Sequence, residues 1–170
     1  HAMILTDVLD LANLFAARER PDLGAASERL RETAQSMLSF LFGMTHPDGQ
    51  IALFNDAAFG IEAGTGELAA YHGQVTGETP PRPGGKAWSF PASGYFVMAP
   101  RPGDRLFIDC GPVGPDYQPG HSHCDTLSFE LSFSGRRVVV DSGCAGYPDG
   151  EIRRYNRGNA GHNTVTIDGE

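Results

Sequence analysis

The chain has few cysteines, an excess of acidic over basic residues and no long apolar run. Its three cysteines form no C-x-x-C pair, which argues against a thiolate zinc site and a disulfide framework. No apolar stretch approaches the roughly 18 residues that would span a bilayer. With 13 basic and 21 acidic residues, the net charge of −8 argues against nucleic acid as a partner, because phosphate binding needs a basic face.

The first half of the chain has the apolar spacing of helices. Apolar residues recur at three- and four-residue steps over 7–17 and again over 26–44, and a third, short helix is expected at 66–73. Ser27 is the expected N-cap of the second helix, and the His-Pro-Asp-Gly sequence at 46–49 predicts a turn.

Beyond a Pro/Gly-rich linker at 74–87 the apolar period becomes two, which is typical of strands. The alternation is clearest over 121–133 and predicts one long strand with its odd-numbered residues facing inward. That inward face is apolar at one end and carries histidine and aspartate at the other. The expected strands are 94–99, 105–109, 121–133, 136–141 and 163–168.

Helices followed by antiparallel strands predict an α+β fold. We expect a helical domain at 1–80 and an antiparallel β domain at 81–170. Each block of elements makes a thin core, so both domains are expected to be incomplete.

Several residues could hold a metal ion. His121, His123 and Asp125 lie on one side of the predicted strand, and imidazole and carboxylate groups suit Zn²⁺. The trio equally fits one catalytic histidine, one ligand and one supporting carboxylate. Asp141, which ends an apolar strand, and His162 strengthen the metal interpretation, although a turn-capping role fits Asp141 as well.

Simple strand geometry separates these candidates. If the turn at 134–135 is a tight hairpin, Asp141 pairs with Ser128, and His123 lies five residues further along. That is about 16 Å at roughly 3.3 Å per residue, which one ion cannot bridge. A shared site therefore requires the chain to fold back, and the Pro-Gly pair at 119–120 permits this.

Four segments of the second half carry a distinctive combination of residues. They are 109–131 (Asp-Cys-Gly-Pro-Val-Gly-Pro-Asp-Tyr-Gln-Pro-Gly-His-Ser-His-Cys-Asp-Thr-Leu-Ser-Phe-Glu-Leu), 140–143 (Val-Asp-Ser-Gly), 154–157 (Arg-Tyr-Asn-Arg) and 161–165 (Gly-His-Asn-Thr-Val). In this order they resemble the signature of the heparinase II/III-like family. The sequence at 46–56 (His-Pro-Asp-Gly-Gln-Ile-Ala-Leu-Phe-Asn-Asp) resembles the end of the helical toroid in bacterial members.

The resemblance implies an (α/α) toroid followed by an antiparallel β-sandwich, and cleavage of uronate-containing acidic polysaccharide by β-elimination. It further implies that the chain holds only the last toroid helices and the start of the sandwich. Other catalytic residues of the family lie on upstream toroid helices, so we expect this fragment to be inactive by itself. A periplasmic or secreted location follows by family analogy, and the oligomeric state is left open.

The resemblance also implies roles for individual residues. It assigns Zn²⁺ to His123, Asp141 and His162, and a catalytic, substrate-facing position to His121. The zinc is then structural, fixing the loop that carries His121, or catalytic, since a fourth position is open to water.

A tyrosine is the expected partner of that histidine in proton transfer. The resemblance assigns this catalytic role to Tyr155, with Tyr147 as runner-up and a candidate for substrate binding together with Arg154. Independently of the resemblance, Arg153, Arg154 and Arg157 form a cluster that can bind a carboxylate, although a solvated loop explains them equally well.

Two other functions fit some of the same residues. One is a non-catalytic carbohydrate-binding or polysaccharide-assembly protein of the same fold, which the acidic balance favours. The other is a cupin-like metal enzyme, which requires a glutamate soon after the histidine pair. No glutamate lies between His123 and Glu130, so this alternative ranks last.

Overall fold

The computed structural model describes residues 1–18, 21–114, 117 and 119–168. Helices come first and an antiparallel sheet follows, which confirms the predicted α+β class. The elements in chain order are α1 (Ala2–Ala16), α2 (Pro21–Gly43), α3 (Thr65–Thr76), β1 (Ala87–Phe90), β2 (Tyr95–Met98), β3 (Arg105–Asp109), β4 (Phe129–Phe133), β5 (Arg136–Val139) and α4 (Glu151–Arg157).

The chain forms two compact units. One comprises 1–43 and 60–83, and the other comprises 44–59 and 84–170. The segment Met44–Phe59 therefore belongs with the sheet, although it follows α2 directly in the sequence. The expected domain boundary near residue 80 stays a prediction, as does the toroid.

The first unit contains the three long helices. Its buried apolar side chains include Leu5 and Leu9 of α1 and Leu38 of α2. The predicted N-cap is wrong, because α2 begins at Pro21 and Ser27 lies within it, donating a hydrogen bond to the Ala12 carbonyl oxygen at 3.4 Å. Among the described residues, no helix is both long and apolar enough to cross a membrane.

The second unit is built on a five-stranded antiparallel sheet in the order β1-β2-β3-β4-β5. The predicted pairing of β2 with β3 is confirmed, with Val97 opposite Phe107. Both of these side chains are buried, and the Phe107 ring lies against His46 of Met44–Phe59 with the ring centroids 4.4 Å apart. The predicted strand at 163–168 is wrong, because these residues have no strand structure.

Strand β4 is shorter than predicted, and its buried side is the opposite one. It begins at Phe129, and its even-numbered residues face the interior: Glu130 and Ser132 are 0% and 1% exposed, whereas Phe129 and Phe133 are 36% and 52% exposed. The expected apolar inward face is therefore wrong. Polar residues occupy the interior here because Met44–Phe59 covers them with matching hydrogen-bonding groups.

Glu130 is the centre of that polar interior. One carboxylate oxygen accepts a hydrogen bond from the Leu53 backbone N–H, and the other lies 2.7 Å from Nε2 of His46 and 3.2 Å from a guanidinium nitrogen of Arg137. The second ring nitrogen of His46 lies 2.6 Å from the Ser132 hydroxyl. A buried carboxylate is stable only when its oxygens are paired, so this network fastens Met44–Phe59 to the sheet.

The other face of the sheet is apolar and exposed. The exposed side chains on strands β2, β4 and β5 and just beyond them are Phe96, Met98, Phe129, Phe133, Val138 and Val140. Only one sheet is present among the described residues, so the second layer of a sandwich stays a prediction.

A backbone reversal precedes β4, as a shared site requires, but its position differs from the expected one. Pro119–His121 forms a single 3-10 turn. The chain turns back at Leu127, whose φ is +67°, and the Ser128 backbone N–H donates to the carbonyl of Asp125 at 2.8 Å. The predicted long strand over 121–133 is therefore wrong, and His123 is not carried away from Asp141 along a strand.

The loop after β5 makes a close approach to Met44–Phe59 at Gly143. A Cβ on Gly143 would lie 2.4 Å from the Ala57 carbonyl oxygen, at a backbone φ of +56°. The same oxygen accepts a hydrogen bond from the Cys144 N–H at 2.9 Å.

Gly143→Ala should therefore destabilise the fold by more than backbone strain alone. The matched control is Gly135→Ala, where φ is +82° but nothing lies within 4 Å of the added Cβ. We expect the control to cost about 1 kcal/mol and Gly143→Ala to cost a further 1–3 kcal/mol or so. Denaturant unfolding of both variants measures the difference, and equal losses would contradict the close approach.

Candidate active site and metal centre

Two histidines and a carboxylate converge in the second unit. Single ligand atoms of His123, Asp125 and His162 lie within 4.8 Å of one another. The two imidazole centroids are 5.3 Å apart. Asp125 is held in place by the backbone N–H of Asn55, which lies 2.9 Å from Oδ2.

The free nitrogens of these histidines are the clearest sign of a ligand. Nδ1 of His123 and Nε2 of His162 are buried and have no hydrogen-bond partner among the described residues. Leaving such a group unpaired costs about 1–3 kcal/mol. Two imidazole lone pairs beside a buried carboxylate form a donor set that fits a divalent metal ion such as Zn²⁺.

Asp141 contacts the opposite nitrogen of His162. Nδ1 of His162 lies 2.9 Å from both carboxylate oxygens of Asp141, which also accepts hydrogen bonds from the Ser128 hydroxyl at 2.8 Å and the Gly143 N–H at 3.1 Å. Burial alone lowers the pKa of His162, but the hydrogen bond to Asp141 and its charge raise it above its ordinary value.

The structure thus brings His123 and His162 together, as predicted, with Asp125 as the carboxylate between them. Asp141 lies on the other side of the His162 ring, next to Nδ1. This pattern, in which a carboxylate orients a histidine through the nitrogen that faces away from the metal, is common in metal sites.

Asp56 is the residue that sequence reasoning missed as part of the site. Its carboxylate oxygens lie 2.7 Å from Nδ1 of His121 and 2.8 Å from Nε2 of His123, and they pair with both terminal nitrogens of Arg153. Burial raises the pKa of Asp56, but the hydrogen bonds from Arg153 and the two histidines more than offset this, and hold its pKa well below the usual range. The only sequence signal was its position at the end of the 46–56 motif.

The exposed part of the site contains His121 and Tyr147. The His121 side chain is 65% exposed. Its ring meets that of Tyr147 edge-on at 6.0 Å, and the guanidinium of Arg153 lies 5.4 Å from the Tyr147 ring. An imidazole and a phenol therefore lie next to each other at the surface, and Asp56 connects this imidazole to the buried ring of His123.

The predicted site residues on α4 differ in their surroundings. Arg153 is the buried arginine of the site, whereas Arg154 and Tyr155 are exposed. Among the described residues, neither Arg154 nor Tyr155 has a side-chain hydrogen bond or ring contact with His121. Arg157 donates to the Ser122 carbonyl at 3.0 Å, so α4 supports the loop that carries both histidines of the His-Ser-His motif.

The second half of the chain matches a known protein family. Residues 82–170, just over half of the chain, match the family model described as heparinase II/III-like, C-terminal. The chain belongs to the heparinase II/III-like family. A comparison of this family member with curated proteins gives no match.

Solved heparinase structures share the fold of this heparinase II/III-like chain. A mutant of heparan sulfate lyase HepC from Pedobacter heparinus matches with a TM-score of 0.70 and 18% identity, over 99% of this chain and 29% of that one. A crystal structure of heparinase III gives a TM-score of 0.68 at 17% identity, over 98% and 31%. A heparinase III gene product gives 0.67 at 24% identity, over 84% and 25%. The chain therefore spans between a quarter and a third of these proteins.

Another buried acid lies beside the metal candidates. Asp109 ends β3, is only 5% exposed, and accepts a hydrogen bond from the Gly111 N–H at 2.8 Å. Burial raises the pKa of Asp109 to about 6, and the charges of Asp125 and Asp141 act in the same direction. The folded chain therefore binds this proton more tightly than the unfolded chain does.

The stabilising contribution of Asp109 should be fully present below about pH 4 and lost as the pH rises through about 6. Asp109→Asn removes this titration, so its stability should fall less with rising pH across that window. Asp48, Asp56 and Asp104 have lowered pKa values, and their contributions change below the window. Denaturant unfolding in the presence of a chelator measures the effect, and parallel pH profiles for the two proteins would contradict it.

Proposed function

We propose that the chain is part of a polysaccharide lyase of the heparinase II/III type that cleaves uronate-containing acidic polysaccharide by β-elimination. The observation that carries the proposal is the contact of exposed His121 with Tyr147, next to a buried cluster of histidine and aspartate that Asp56 connects to His121. Family membership supports the same reaction class. A periplasmic or secreted location stays a prediction.

The chemistry of β-elimination matches these groups. A base removes the proton alpha to the uronate carboxylate, a carbon–carbon double bond forms, and the glycosidic carbon–oxygen bond breaks as its oxygen takes up a proton. His121 and Tyr147 supply one imidazole and one phenol for the two proton transfers. Exposed Arg154 is proposed to attract the acidic chain, because a guanidinium pairs well with carboxylates.

A zinc ion fits the buried cluster. His123 and His162 would hold it through their unpaired nitrogens, and a carboxylate would complete the set. When bound, the ion supplies positive charge and fixes the loop that carries His121. The geometry favours Asp125 as the third ligand, because Asp141 already binds Nδ1 of His162. The family resemblance favours Asp141.

Paired variants decide between the two carboxylates. Asp125→Asn should lower zinc affinity more than Asp141→Asn, because it removes a ligand, whereas loss of an orienting carboxylate typically lowers affinity about 10- to 100-fold. Calorimetric titration of the chain with zinc measures both. The opposite ranking would make Asp141 the ligand, and failure of the wild-type chain to bind zinc would overturn the site.

A second pair of variants tests the catalytic tyrosine. Tyr147 and Tyr155 are similarly exposed, at 59% and 54%, but only Tyr147 contacts His121. In the full-length protein that contains this chain, Tyr147→Phe should lower kcat by roughly 100-fold or more, while Tyr155→Phe should change it little. Absorbance of the unsaturated uronate product measures turnover. A larger loss from Tyr155→Phe would restore the assignment that the resemblance implies.

The same assay tests the proposed function itself. We expect the 170-residue chain alone to show little or no turnover, and the full-length protein to release unsaturated product from a uronate polysaccharide. Rapid turnover by the short chain would contradict the proposal that catalytic groups are missing from it. Binding of uronate polysaccharide without any product from the full-length protein would instead favour the non-catalytic alternative.

A further inference from the structure

Asp56 lies between the exposed histidine and the buried one and contacts both. We propose that it is a positioning residue that keeps the ring proton of His121 on Nδ1 and the ring proton of His123 on Nε2. His121 then presents Nε2 outward, and His123 presents Nδ1 to the buried cluster. The inference rests on the proposed function only for the meaning of the outward nitrogen, because the proton positions themselves follow from the contacts of Asp56.

The direction of the hydrogen bonds follows from the charge of Asp56. Arg153 pairs with both carboxylate oxygens in a fork-like arrangement, and the carboxylate side chain is only 9% exposed. A carboxylate paired in this way is ionised and can only accept hydrogen bonds. Nδ1 of His121 and Nε2 of His123 must therefore each carry a proton, since they lie 2.7 and 2.8 Å from its oxygens.

One competing arrangement is excluded by distance. A guanidinium nitrogen of Arg153 lies 3.4 Å from Nε2 of His123, so this nitrogen could in principle accept from the arginine. It would then direct a lone pair at the oxygen of Asp56, only 2.8 Å away. Two lone pairs at that distance repel each other, whereas 3.4 Å is long for an N–H hydrogen bond. Nε2 therefore donates to Asp56.

The opposite protonation of the two rings has a consequence for each. A neutral imidazole that donates through one nitrogen offers a lone pair on the other. On His123 that lone pair is on Nδ1, which is buried, unpaired and part of the cluster with Asp125 and His162. On His121 it is on Nε2 of a ring that is 65% exposed and touches Tyr147. Asp56 thus leaves His121 with a lone pair that can act as a base at the surface. It also leaves His123 with a lone pair that can bind a metal ion in the interior.

Asp56→Asn tests this assignment because an amide can no longer accept from both rings. Its single oxygen accepts from one histidine, while its NH₂ group can only donate to the other, which must move its proton to the remaining nitrogen. If His123 is the ring that changes, Nδ1 becomes protonated and zinc affinity falls. If His121 changes, Nε2 becomes protonated and no longer offers a lone pair.

The experiment is ¹⁵N NMR of the ring nitrogens in the histidine-labelled, metal-free chain, at about pH 8.5, where most histidines are neutral. The wild-type chain should show His121 protonated on Nδ1 and His123 protonated on Nε2. Asp56→Asn should change at least one of the two. Where the changed ring is His123, zinc affinity should also fall about 10- to 100-fold. The matched control is Asp48→Asn, which removes an arginine-paired carboxylate from the same segment, 2.8 Å from Arg137, and should alter neither ring.

Different results overturn different claims. The same protonated nitrogen on both wild-type rings, or unchanged tautomers in folded Asp56→Asn, would overturn the positioning role. If Asp56→Asn fails to fold, the wild-type spectrum alone still decides the two proton positions. No substrate is present in this measurement, so correct tautomers with no lyase turnover by the full-length protein would refute only the proposed function.

Discussion

The buried carboxylate of Glu130 holds Met44–Phe59 against the sheet, and the candidate site depends on that attachment. His46, Leu53 and Arg137 all bond to Glu130, which has no contact with solvent. Removing one partner from such a network leaves a buried charge uncompensated, at a cost of about 3–5 kcal/mol. Asp56 lies near the end of this segment. The hydrogen bonds of Glu130 therefore help to determine where the Asp56 carboxylate lies in the candidate site.

Each of the two buried histidines has a carboxylate hydrogen-bonded to one of its ring nitrogens. Asp56 accepts from His123 and Asp141 accepts from His162, and the opposite nitrogen of each ring has no hydrogen-bond partner in the described part of the chain. The unprotonated nitrogens of the two rings therefore face the cluster, and their N–H groups face the two carboxylates. Burial raises the pKa of Asp109, and the negative charges of nearby Asp125 and Asp141 act in the same direction. Several negative charges close together suit a bound cation.

The sequence predicted the order of helices and strands, the β2–β3 pair and the convergence of His123 with His162. It could not predict the buried side of β4, since alternation alone assigns the apolar parity to the interior, whereas Met44–Phe59 makes the polar parity the buried one. Asp56 and Arg153 lie 97 residues apart, and nothing local to either indicates their pairing. The likeness to known motifs favoured Tyr155, but the path of the loop after β5 places Tyr147 beside His121.

The distances along the chain between partners in the site have a kinetic consequence. Asp56 is 65 residues from His121, 67 from His123 and 97 from Arg153, so each contact closes a long loop whose entropy must be overcome first. Local structure cannot form this centre in advance of the fold. An emerging polypeptide would carry the histidines of the proposed zinc site with unset proton positions until the sheet and Met44–Phe59 have joined. The donor set that we propose for zinc therefore forms only at the last stage of folding.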